Sequence, residues 1–77
     1  MTLGEFEALR ILQDRRVRMI FTDGQEIIAT LDSVATDFDG SQHLTYWKVE
    51  SSTRQDVDEE STYYSPGEDL VSCSELS

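Results

Sequence analysis

The chain has 77 residues, with six basic and sixteen acidic side chains, a net charge of −10 and 38% hydrophobic residues. That is one small acidic domain, 1–77, with seven aromatics to build a thin core. No apolar run reaches the roughly 18–20 residues of a membrane span, and no cationic head with an apolar stretch marks a signal peptide, so no membrane association and a cytoplasmic location are expected. Cys73 is alone, which excludes an internal disulfide, and His43 is alone, which leaves no metal set at workable spacing. A chain this short, without those two supplements, is expected to gain stability by self-association.

Residues 1–18 hold four arginines against three carboxylates, whereas residues 19–77 hold Lys48 and Arg54 against thirteen. The spacing predicts one N-terminal helix over 2–14. Thr2 and Glu5 stand at capping-box separation, and Phe6, Ala8, Leu9 and Leu12 fall within one arc at helical period. At Arg16 the period changes to two: Val17, Met19 and Phe21 point one way, Arg16 and Arg18 the other. Thr22-Asp23-Gly24-Gln25 predicts a tight hairpin turn with positive φ at Asp23 and Gly24. A second strand is expected from Glu26 to about Val34, with Ile27, Ala29 and Leu31 inward. Turn formers from Thr36 to Gln42 predict a loop, and His43–Glu50 a third strand with Leu44 and Tyr46 inward. Residues 51–60 are the most polar stretch and are expected to form an exposed loop. A fourth strand is predicted at Thr62–Tyr64, a tight turn at Ser65–Glu68, a fifth strand at Leu70–Cys73 and a tail over 74–77.

A short helix followed by five strands resembles the Sm and Sm-like (LSm) family of RNA-binding proteins. The match is clearest over Val17–Leu31, an alternating strand, an Asp-Gly turn and a second strand, with Ala29 where the family usually has Gly. Gly67-Glu68-Asp69-Leu70-Val71 is similar to the family's second, shorter motif. The resemblance implies a mostly β fold: a short helix on a five-stranded, strongly bent, SH3-like barrel spanning 16–73. It also implies a closed homo-oligomeric ring, in which the fourth strand of one subunit pairs with the fifth of the next, through Tyr63, Tyr64, Leu70, Val71 and Cys73.

For RNA, the resemblance implies a site at Phe38, Asp39, His43 and Gly67. Asp39 matches the family's loop, while Gln42 and His43 replace its Met and Asn, and Pro66 stands where the family has Arg. Phe38 reads either as a base-stacking face or as a loop aromatic packed onto the barrel. His43 reads either as a base contact or as a strand-start residue bonded to a backbone carbonyl. Asp37 and Asp39 also read as turn formers. Arg15, Arg16 and Arg18 form the basic cluster, either a phosphate-contacting patch or partners for the surplus carboxylates. Asp56–Glu60 reads as a solvated loop rather than a metal site, because no glycine folds its carboxylates inward. Trp47, Tyr46, Tyr63 and Tyr64 read as barrel and interface packing rather than a ligand cage.

No nucleophile–base pair and no glycine-rich phosphate loop is present in the sequence, so a non-enzyme without cofactors is expected. Two functions stay open. One is a ring-forming Sm-like module that binds single-stranded RNA or a ribonucleoprotein-associated partner. The other is an acidic protein-binding adaptor or scaffold that keeps the barrel and has lost RNA binding.

Overall fold

The computed structural model describes residues 2–53, 58 and 60–76. Helix α1 (Leu3–Ala8) runs into a 3-10 turn (Leu9–Leu12), followed by β1 (Arg16–Phe21), β2 (Glu26–Thr36), β3 (Gln42–Ser52) and β4 (Tyr63–Pro66). A second 3-10 turn (Gly67–Asp69) leads into β5 (Leu70–Glu75).

The capping box forms. Thr2 Oγ1 accepts from the Glu5 amide at 3.2 Å, and Glu5 Oε1 accepts from the Thr2 amide at 3.4 Å. The single helix expected over 2–14 is instead six residues of α-helix and one tighter turn. In a 3-10 turn residues three apart eclipse, which directs Leu9 and Leu12 together onto the sheet while Ile11 and Ala8 face solvent. Asp14, at φ 65, ends the segment and donates its amide to the Leu31 carbonyl at 2.7 Å.

The five strands form one antiparallel sheet in the order β4-β3-β2-β1-β5. The sheet is not closed into the expected barrel. The three-residue turn Gly67–Asp69 carries the chain from the β3 side to the β1 side, leaving β4 and β5 as the two edges. Bulges bend the sheet. Between Leu31↔Tyr46 and Ser33↔Thr45 one extra residue, Asp32, lies on β2. Between Ile28↔Ser51 and Thr30↔Trp47 two extra residues lie on β3, where Lys48 takes φ 52. On β5 the register shift opposite Ile20 and Phe21 leaves Val71 without a partner on β1.

Several boundaries differ from expectation because strand pairing reaches further than composition suggests. Thr36 and Gln42 pair with one another, which shortens the loop to 37–41. Ile27 and Ile28 pair with Ser52 and Ser51, extending β3 into the polar stretch. Ser65 and Pro66 belong to β4, where Pro66 pairs with His43 on an edge strand that tolerates a missing amide proton. β5 continues through Glu75, opposite Val17, into the expected tail. In the hairpin turn Gly24 has positive φ (86°) but Asp23 does not, because its carboxylate accepts the Gln25 amide at 3.1 Å.

All eight residues expected inward (Val17, Met19, Phe21, Ile27, Ala29, Leu31, Leu44 and Tyr46) are buried, in one cluster with Phe6, Leu9, Val34, Val49 and Leu70. Phe6 is the helix's anchor and is fully buried.

Candidate functional site

The β2–β3 loop is a tight tip built from its own polar groups. The Asp37 amide donates to the Ser41 carbonyl at 2.8 Å, and the Gly40 amide to the Asp37 carbonyl at 3.0 Å, with Gly40 at φ 85. Asp39 Oδ1 accepts both the Ser41 amide, at 3.0 Å, and the Ser41 hydroxyl, at 2.6 Å. These bonds from Ser41 hold the Asp39 carboxyl below its ordinary value. The turn-forming reading of Asp39 is therefore realised. Phe38 projects fully into solvent. It does not pack onto the sheet.

Beside the tip, His43 is half-buried, with its ring 5.4 Å from that of Tyr64 and its Nδ1 3.7 Å from Asp37 Oδ2. A cavity of about 310 Å³ lies here, lined by Gly40, Ser41, Gln42, Tyr64, Pro66 and Gly67. The fold thus brings the β2–β3 loop and the β4–β5 turn to one end of the sheet. Gln42 Nε2 is buried here without a hydrogen-bond partner. Gly67 is also buried, but for a packing reason: a Cβ there would lie 2.8 Å from Phe6 Cε2 and 2.9 Å from the Gln42 Cβ. Phe38 and His43 are not in ring contact among the described residues; His43 meets Tyr64 instead.

The arginines lie on the outward side of β1 and just before it, and each reaches a carboxylate. Arg15 pairs with Glu75 on β5 at 3.0 Å, Arg18 with Glu26 on β2 at 2.9 Å, and Arg16 with Glu50 on β3 at 2.5 Å. Arg10 pairs with Glu7 at 2.9 Å. Glu26 is held below its ordinary carboxyl value by the hydrogen bond from Arg18. The partners of Arg15, Arg16 and Arg18 come from three other strands, so sequence spacing alone offers no sign of them.

At the edges, Tyr64 on β4 and Val71 on β5 are exposed. Tyr63 stacks on Tyr46 with centroids 5.7 Å apart, and its hydroxyl accepts the Asp58 amide at 2.6 Å. Leu70 is buried in the chain's own core, and Cys73 is half-buried beside it, with its thiol pushed up to about 11 by desolvation. A thiol so raised is a weak nucleophile at neutral pH.

Sequence reasoning missed a second concavity on the outer face. Trp47, Lys48, Val49, Glu50, Thr30 and Glu60 line a groove of about 530 Å³. The ammonium of Lys48 lies 4.4 Å from the centre of the Trp47 ring, and Trp47 Nε1 is buried without an acceptor. The available signal was alternation: with Leu44 and Tyr46 inward, Trp47 falls on the opposite face. Among the described residues no group of three metal-ligating side chains occurs, and no helix is long and apolar enough to cross a membrane. The acidic run 56–60 falls largely on residues 56, 57 and 59, which lie outside the described ones.

No protein-family model, curated protein or solved structure matches this chain.

Proposed function

We propose that this protein is an Sm-like adaptor: a small acidic module that joins to its own copies along β4 and β5 and engages protein rather than single-stranded RNA. One observation carries the choice. Arg10, Arg15, Arg16 and Arg18 are each held by a carboxylate of the same chain. Contacts to phosphate provide most of the affinity for nucleic acid, and a patch already neutralised from within, on a chain of net charge −10, offers few. Strand order and the bent sheet support the Sm-like reading, because β4 and β5 are the edges that such a ring would join. Neither edge carries the lysine that blunts an exposed edge, although both are short, Pro66 falls within β4 and a bulge interrupts β5, so the joint is limited to a few main-chain bonds. Closure into a ring needs the heterologous contact to repeat around a full turn. The joint is then made by main chain with Tyr64 and Val71, since Leu70 is committed to its own core.

A second reading, RNA binding at the β2–β3 loop, is favoured by the full exposure of Phe38, a free stacking surface. Titration with labelled oligo(U) and oligo(A) at low salt separates the two. The adaptor reading expects no binding by the native chain. It also expects that Glu26→Gln, Glu50→Gln and Glu75→Gln together, by freeing three arginines, create weak binding that salt abolishes. Micromolar binding by the native chain, lost in Phe38→Ala, would overturn it. Sedimentation at about 0.15 M salt, where surface charge is largely screened, tests the assembly. A monomer at high concentration counts against the ring.

A further inference from the structure

We propose that Phe38 of one copy docks in the Trp47–Lys48 groove of a second copy. This contact uses neither β4 nor β5 and stands whether or not those edges pair.

The tip and the middle of the β2–β3 hairpin carry complementary features. At the tip, Phe38 is the most exposed large apolar side chain and is flanked by Asp37 and Asp39. The tip is also preorganised, because the bonds from Ser41 fix it before any encounter, which lowers the ordering cost of docking. Midway along the strands, beside the bulge at Lys48, lies an outward groove of about 530 Å³ lined by the Trp47 ring and Val49. Among the described residues Lys48 is the one cation with no carboxylate partner, and its ammonium rests on the Trp47 ring.

An aspartate-flanked phenylalanine brings what that groove lacks. The ring enters the apolar concavity and a flanking carboxylate meets Lys48. Glu50 on the wall is neutralised by Arg16, whereas Glu60 on the rim repels the incoming aspartates. Because tip and groove are different surfaces of the chain, the contact is heterologous and links copies head to tail. One aromatic knob and one charge contact make an interface below the roughly 1,200 Å² of stable complexes, so the association is weak.

Trp47 is the sole tryptophan and sits in the groove, so it reports directly on occupancy. Its emission is followed as the native protein is diluted from about 1 mM to about 1 µM, a range that spans weak affinities, with sedimentation in parallel. A red shift on dilution is expected. Phe38→Ser, a change on an exposed tip, abolishes the shift, and Lys48→Gln moves its midpoint about twofold to fivefold towards higher concentration. Glu60→Gln moves it the other way. Emission that does not depend on concentration, or a shift that survives in Phe38→Ser, overturns the proposal.

Discussion

The β2–β3 loop and the β4–β5 turn meet at one end of the sheet and each contains a glycine, but different forces hold them. The β4–β5 turn is set by packing: Gly67 lets the Phe6 ring approach until no side chain would fit between them. The β2–β3 loop is set by hydrogen bonds among Asp37, Asp39, Gly40 and Ser41, and its largest side chain touches nothing. A loop held by packing has its side chains committed to the fold. A loop held by its own polar groups leaves an apolar side chain free for a partner.

That contrast fails if the packed turn tolerates change or the polar tip does not. The largest effect is expected for Phe6→Ala, which empties the volume under Gly67 and detaches α1. A loss of about 3–5 kcal/mol in chemical denaturation is the usual cost of truncating a buried phenylalanine. Next comes Gly67→Ala, where the added methyl meets Phe6 and Gln42; overpacking of this kind costs about 1–3 kcal/mol. The two changes share one space, so Gly67→Ala in a Phe6→Leu background should cost less than in the native chain, a coupling that a double-mutant cycle reads.

A smaller and local effect is expected at Asp39. Its folded carboxyl is held below the ordinary value of 3.8, so the stabilisation it gives the loop is complete above that pH. It is lost as pH falls through the lower folded value. The Ser41 amide resonance should therefore titrate only in acid, and Asp39→Asn should remove that titration. A Ser41 amide that titrates at or above pH 4 contradicts the hydrogen-bonded tip. The smallest effect is reserved for Phe38→Ser, which should leave the denaturation midpoint of the dilute protein within about 0.5 kcal/mol of native. A larger loss would mean that Phe38 packs inward after all.

Much of the fold was legible because burial leaves a periodic trace. Val17, Met19 and Phe21 alternate with Arg16 and Arg18, and that alternation alone identified which face of β1 is buried. Thr2 and Glu5 announced the helix start by spacing alone. What misled was composition near strand ends. Thr36, Gln42, Ser51 and Ser52 look like loop residues and lie in strands, because the partner strand supplies their backbone hydrogen bonds whatever their side chains. Candidate site residues were read with less success. Phe38 and Gly67 share one motif-based role in the sequence, yet one is fully exposed and the other buried.

By itself the sequence determined the number and order of the strands, most of the inward set on the first three, the helix cap and the acidic charge, all of which follow from neighbours within a few residues. The tertiary structure decided that the sheet stays open, since that depends on where a 3-10 turn delivers the chain. It also decided that Arg15, Arg16 and Arg18 pair with carboxylates from 8 to 60 residues away, and that a groove lies beside Trp47 and the bulge at Lys48. Ion pairs between strands and the register of a bulge are set by long-range pairing, and no local spacing encodes them.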